Sequence, residues 1–536
     1  MKRRDFLKAG TSLVAGGALA ARFGSSRAAA AESRRDVLLS VSEGAPNALD
    51  YHTVGANRSV FAVVWNAYDR LITFGVKNGE DGNGHYDYTD LQPALAEDID
   101  LKDMSVTLRL RRDATFHDGT PITAQDVKWT FDRAIGVGAY PASTMAAASL
   151  THPEQFVAVD DHTFRVDFDK HDKLSPLYLG VPVVGIYHSQ LVKQHATPQD
   201  PWGQEYTKRN VAGGGAYKLE SWHPGQDVVL VANPDWRCGP QPQIKRVIWR
   251  TVPSAGTRRA LLERGDVDLS FDLPPKDASE LAANKDMTIL GVPMESTVLY
   301  LGMNVTMPPF DNPKVRQAVA YAVPYESIME TAVYKRARGL FAASGRVSTP
   351  EWPQAHQYVT DIAKAKQLLA EAGHPNGFET TLSFDLGSAV TIEPLSVLVQ
   401  ESLAKIGIKA TLDKIPGANW RTAFSKKQLP MQINLFGAWF DYSDYFFNWV
   451  YSGRNTIFNT MSYKNPAMDK LINDARFTTD KAAYQKDMVQ AIQLAFDDAP
   501  NVPLYQPYLD VAMRKNVSGY VYWFHREMDY RTLKKT

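Results

Sequence analysis

Only one cysteine, Cys238, stands in the 536 residues. A single thiol closes no intrachain disulfide, so burial and hydrogen bonding must hold the fold. Long apolar runs are equally scarce. The stretch at 9–21, AGTSLVAGGALAA, is too short to span a bilayer, and no later segment is long and apolar enough to do so. Catalytic spacings are missing too: there is no Gly-x-Ser-x-Gly, no Gly-x-x-x-x-Gly-Lys and no His-Glu-x-x-His. The 12 histidines are scattered, none at metal-ligand spacing. Neither a cofactor nor a metal is expected, and the chain does not read as an enzyme. An exported hydrolase stays as a remote alternative, resting on Cys238 with no base assigned to it. Net charge is absent as well, with 59 basic against 59 acidic residues. Setting aside residues 1–31 removes six basic residues and one acid and leaves −5. Such a surface carries no electrostatic footprint for nucleic acid or anionic lipid.

What is present is size and aromatic content. With 44% hydrophobic residues, 11 Trp and 24 Tyr, the chain can bury two or three packed units. Its first 31 residues read as an export signal. Arg3 and Arg4 precede Phe6, Leu7 and Lys8, the apolar stretch follows, and small residues near Ala30 and Ala31 offer cleavage sites. The arginine pair resembles the twin-arginine type. The expected location is the periplasm, with no stable membrane insertion.

Strand and helix patterns alternate along the rest. DVLLSVSE, SVTLRLRRDATF and HTFRVDFD alternate as strands, and SVFAVVWNAYDRLITF has helical spacing. GVKNGEDGNGHYDYTD reads as a Gly-rich surface loop. GGGAYKLESWHPGQDVVLVAN predicts two strands joined at HPGQD, and IKRVIWRTV a further strand. A helix ends near Gly265, another starts at Pro313 and stops before Pro324, and a third runs from Asp361 to Gly373. ETTLSFDL, VTIEPLSVLVQESLAKIG and IKATLDKI predict a strand–helix–strand crossover. The class is α/β.

Residues 111–133, RRDATFHDGTPITAQDVKWTFDR, admit two readings. His117 and Asp118 can be a catalytic pair, or the run turns a strand into a helix. The second is favoured: Asp118-Gly119 is a turn pair, Pro121 fixes the exit, and Thr123 with Asp126 makes a capping box. The string Leu110, Arg111, Phe116, Asp118, Gly119, Pro121, Thr123, Ala124, Asp126, Val127 resembles the signature of the peptide-type (family 5) extracytoplasmic substrate-binding proteins of ABC importers. The GGGAYKL…HPGQD, TRRALLERGDVDL and PPFDNPKVRQAVAYAV segments are similar to that family's in the same order, although Pro324-Tyr325 stands where Asp-Arg is usual.

The resemblance implies a two-lobed periplasmic-binding-protein clamp (class II, type C) with an inserted domain, closing over a solute. The implied division is 1–31 signal; 32–68, 200–290 and 501–536 a discontinuous first lobe; 69–199 the insertion; 291–500 the other lobe. The implied partners are an ABC permease and an oligopeptide, dipeptide or amino-acid derivative such as an opine, with an oligosaccharide or nickel chelate as the alternative; the protein is expected to be a monomer. In QINLFGAWFDYSDYFFNWV an acid stands among aromatics and must be paired if buried, either with a ligand cation or with an internal Arg or Lys. The resemblance places Asp441 where peptide-binding members receive an α-ammonium, with Trp439, Phe440 and Tyr442 around it. Asp444 lies in the following turn, where Tyr445 replaces the usual proline. Trp420 is either a pocket wall or core at a helix start. Ala45 and Asn47 are implied main-chain contacts, and Tyr140 is a further candidate.

Overall fold

The computed structural model describes residues 33–339 and 358–536, except 54, 80, 81 and 456. The proposed signal, residues 1–31, lies outside the described residues. One twisted sheet organises the rest. In spatial order it runs Lys409–Ile415, Glu379–Asp385, Met431–Gly437, Thr297–Met303, Asn501–Arg514, Leu269–Ser270, Val37–Ser42, Arg246–Thr251, Asp227–Ala232, Tyr217–His223. Asn501–Arg514 is the member common to both halves. Its first residues pair with Thr297–Met303 and its last with Leu269–Ser270 and Met287–Pro293. Two segments therefore cross between the halves: this strand, and the connector from Pro293 to Thr297. This is the two-lobed arrangement that the resemblance implies, in the α/β class that the pattern predicts.

Local chemistry explains most elements. Val37–Ser42 lies parallel to Arg246–Thr251, and Glu379–Asp385 parallel to Lys409–Ile415 across the helix Ala389–Ala404. Gly265 ends the helix Ala255–Arg264 with φ 77°, a conformation costly for any residue with a Cβ. The Gly213–Gly215 run allows a close backbone approach: a Cβ on Gly215 would lie 2.5 Å from the Ala67 carbonyl carbon. The segment at 111–133 is strand-to-helix punctuation. Thr123 Oγ1 and its amide both donate to Asp126 Oδ2, at 2.8 and 3.1 Å, and open the helix Ala124–Gly136. Val127 and Phe131 on that helix are fully buried, about 1.5–3 kcal/mol of transfer energy each. His117 turns to the Gly215 carbonyl at 3.1 Å, while Asp118 accepts from the Thr120 amide at 2.9 Å. The two are not joined as a catalytic pair.

The expected Gly-rich loop is a correction. The strands Ile72–Asn78 and Gly84–Pro93 form a hairpin there, and Tyr86 on the second is buried. Glycines at 75, 79, 82 and 84, two of them within the strands themselves, masked the alternation. The helical reading of SVFAVVWNAYDRLITF also holds only for Val60–Ala67, which is buried on every face. Insertion residues form a second, four-stranded antiparallel sheet: Ala96–Lys102, Ser105–Leu110, Thr163–Asp167, Phe156–Ala158.

Candidate ligand-binding site

The strand Met431–Gly437 runs antiparallel to Thr297–Met303, with Gly437 opposite Thr297. Only glycine fits there, since a Cβ would sit 2.4 Å from Thr297 Oγ1. The chain then leaves the sheet through residues 438–442 and enters the helix Ser443–Val450. This exit is clasped by the rest of the molecule. Trp439 packs on Phe61 at 6.1 Å, Tyr178 at 5.9 Å and Phe524 at 5.6 Å. Its carbonyl accepts from the Tyr86 hydroxyl at 2.6 Å. Phe440, fully buried, meets Phe74, Tyr88 and Tyr178. The hydroxyls of Tyr178 and Tyr445 share a hydrogen bond of 2.6 Å. Each ring pair contributes about 0.5–1.5 kcal/mol beyond its burial.

The two acids of this segment differ sharply. Asp441 is exposed; its Oδ1 accepts from the Ser296 hydroxyl at 2.8 Å and its carbonyl from the Tyr88 hydroxyl at 3.1 Å. Asp444 is fully buried among cations, with Lys173 Nζ at 2.7 Å and Arg476 Nη1 at 3.6 Å. Neither Asp444 oxygen has a well-aligned hydrogen bond, so charge rather than geometry holds it. The Lys173 ammonium also stands 4.8 Å over the Tyr442 ring and 4.3 Å over Tyr484. Burial lowers the Lys173 pKa, and Asp444 opposes that shift. An internal Lys and an internal Arg thus stand beside Asp444.

The remaining candidates fall in two groups. Tyr140, partly exposed, sits edge-on to Tyr51 at 5.6 Å; Tyr51 packs on Phe61 at 4.5 Å, and Phe61 on Trp439. Rings thus run without a break from the insertion to Trp439. Asn47 and Asn57 brace the loop after the first strand: the Asn47 amide donates to the Gly55 carbonyl, and Asn57 donates to Asn47 Oδ1 and the Ala45 carbonyl. Trp420 stands apart, buried on the helix Gly417–Ser425 with its ring against Phe424 at 5.6 Å. Burial pushes the Cys238 thiol pKa well above the usual range, which disfavours its nucleophilic thiolate.

Sequence reasoning overlooked the C-terminal run Trp523 to Glu527. Trp523 and Phe524 join the ring cluster, and His525 packs on Trp65 at 4.2 Å. Arg526 follows in a left-handed turn, with φ 62°. Two rings against three ionisable groups is the same signal that marked 439–445. A concavity of about 640 Å³ lies among Arg34, Arg35, Arg264, Arg514, Lys515 and Lys535. It gathers the ends of the described chain and shares no residue with the rings, so chemistry, not volume, singles out the aromatic zone.

Comparison with known proteins agrees with this architecture. The sequence model of the bacterial extracellular solute-binding proteins, family 5 (middle), matches residues 90–458. The probable D,D-dipeptide-binding periplasmic protein DdpA of Escherichia coli (strain K12) is 29% identical over 506 residues, 91% of this chain and 92% of that protein. Among solved structures, the periplasmic binding protein DppA from Helicobacter pylori in complex with peptide STSA superposes with a TM-score of 0.79 at 23% identity, covering 93% of this chain and 98% of that one. AgaA from A. tumefacien R10, in complex with agropinic acid, gives 0.78 at 23% identity, covering 93% and 99%. These relatives are named as binding proteins, and the family match spans most of the chain. The chain belongs to the bacterial extracellular solute-binding proteins of family 5, a clamp that acts beyond the cytoplasmic membrane.

Proposed function

We propose that this protein is the substrate-binding component of an ABC importer. It captures a small peptide or an amino-acid-derived solute such as an opine between its lobes and delivers it unchanged to a membrane permease. The observation that carries the reading is the exit segment at 438–442. Its rings are clasped by both other parts of the molecule, and its one exposed acid, Asp441, stands at their margin on the Ser296 hydroxyl. An α-ammonium arriving there meets a carboxylate beside aromatic faces, which attract cations. The relatives named for D,D-dipeptides, a peptide and agropinic acid support the same solute class. Trp439, Phe440, Tyr442 and Tyr140 line the contact zone in this reading, with Ala45 and Asn47 at its far wall and Trp420 on a side pocket. The lobes divide at 32–68 with 200–290 and 501–536, at 69–199, and at 291–500. The protein is exported by the twin-arginine route and works as a monomer.

Calorimetry with D-alanyl-D-alanine, the peptide STSA and agropinic acid tests this. At least one binds, mass spectrometry finds it intact afterwards, and N-acetylation or Asp441→Asn weakens the peptides by about 2–5 kcal/mol. Absence of binding by all three, or appearance of a cleaved product, refutes the proposal.

A further inference from the structure

Five arginines are buried among the described residues, and four of them are answered by the protein. Arg133 pairs with Asp50 at 2.7 Å. Arg258 donates to the carbonyls of Val252, Pro253 and Asp272, and Arg316 to those of Phe310 and Asp498. Arg70 lies 3.6 Å over the Trp65 ring and donates to that residue's carbonyl. Arg526 is the exception. It is 9% exposed, and among the described residues no carboxylate oxygen stands within ion-pair distance of it. Its side-chain hydrogen bond goes to a thioether, Met294 Sδ, at 3.4 Å. A thioether is a weak acceptor and cannot balance a buried cation.

The surroundings of this guanidinium come from every part of the clamp. Met294 lies on the connector between the sheet halves. Gly437 ends the strand that leads to Trp439, and a Cβ there would lie 3.3 Å from Arg526 Nη2. Arg58, from the loop before Val60–Ala67, donates to the carbonyl of His525 at 3.1 Å and adds a second positive charge. Tyr140 lies within electrostatic reach. Ser296, which holds Asp441, is the chain neighbour of Thr297, which faces Gly437. Arg526 adopts a left-handed backbone that is uncommon outside glycine, fixed by the hydrogen bond that its amide N–H donates to the Trp523 carbonyl at 2.8 Å. Burial raises the carboxyl of neighbouring Glu527 to about 8, against the charges of Arg58 and Arg526, which lower it. Burial, then the charge of Arg58, pushes the guanidinium itself down to about 9.

We infer that Arg526, with Arg58 beside it, is the anion receptor of the clamp and takes a carboxylate of the bound solute. This rests on the solute class proposed above and narrows it to molecules that carry a free carboxylate, matched by the planar fork of arginine. The test is titration calorimetry of D-alanyl-D-alanine and STSA, each against its C-terminal amide and its N-acetyl form. The wild type prefers acid over amide by about 10- to 100-fold. Arg526→Gln removes that preference and leaves the penalty for N-acetylation in place; Arg526→Lys, which retains charge without the fork, keeps part of it. Equal binding of acid and amide by the wild type, or an unchanged preference in a folded Arg526→Gln or Arg526→Lys protein, overturns the assignment while leaving the peptide reading standing. Failure of the wild type to bind either peptide overturns both.

Discussion

Replacing Arg476 by methionine separates closure of the clamp from stability of its parts. The Arg476 side chain is about one-tenth exposed. Its Nε lies 3.1 Å from Asp172 Oδ1 on the insertion, and its Nη1 3.6 Å from Asp444 Oδ2 on the exit helix; neither acid has any exposure. Removing the cation leaves Asp172 and Asp444 with less compensation in a dry contact, which costs about 3–5 kcal/mol for a buried pair. Opening the lobes readmits water to both acids, so the penalty falls on the closed form alone. At about 3 kcal/mol the closed-to-open ratio drops by more than about 100-fold. Small-angle scattering of the ligand-free variant then shows a larger radius of gyration than the wild type. The affinity for D-alanyl-D-alanine or STSA falls with the closed fraction, and the melting temperature changes little. An unchanged radius together with a clear loss of melting temperature refutes the reasoning, since it would place the charges inside one rigid body.

The Asp50–Arg133 pair makes the opposite prediction, because both groups are fully buried, and Tyr187 and Thr207 also donate to Asp50 at 2.6 Å each. Asp50→Asn should cost about 3–5 kcal/mol in denaturant unfolding, with the ligand-free radius unchanged. His52 carries a pH signature. Burial, then the charge of Arg133, lowers its pKa from 6.5 to about 4, so the folded state refuses a proton that the unfolded chain accepts. Stability from this group is complete above pH 6.5 and falls by about 3 kcal/mol as the pH drops to 4; His52→Gln should flatten that slope in unfolding titrations run between pH 7 and 4. Thr123→Ala should cost about 1 kcal/mol as a lost helix cap, and Asp126→Ala more, since Asp126 Oδ1 also accepts from the Ser189 hydroxyl at 2.6 Å. His117→Asn should leave ligand affinity untouched, as suits a residue that braces a turn; an affinity loss in calorimetry would restore it to the site.

How much of this was legible depends on how local each signal is. The capping box at Thr123, the αL stop at Gly265 and the crossover from Glu379–Asp385 to Lys409–Ile415 each lie within a few turns of chain, and each was predictable. The hairpin of Ile72–Asn78 and Gly84–Pro93 was not, because glycines in the turn and in both strands diluted an alternation whose faces are set by partners elsewhere. The two acids of the exit segment show a sharper limit. Asp441 and Asp444 sit three residues apart among the same aromatics, yet one is exposed and the other sealed. What decides between them is Lys173 and Arg476, brought in from distant sequence, and no local pattern encodes that approach. Arg526 escaped notice for the same reason: its meaning lies in the carboxylate that no neighbour supplies.

The strand Asn501–Arg514 comes near the end of the 536-residue chain yet occupies an interior seat in both halves of the sheet. Neither half can complete its hydrogen-bond ladder until roughly the last forty residues have been made. Folding of the two lobes is therefore late and mutually dependent, dominated by pairings of long sequence separation. A chain cut at residue 500 loses an inner strand from each lobe at once, so this clamp cannot be divided into two separately folding pieces.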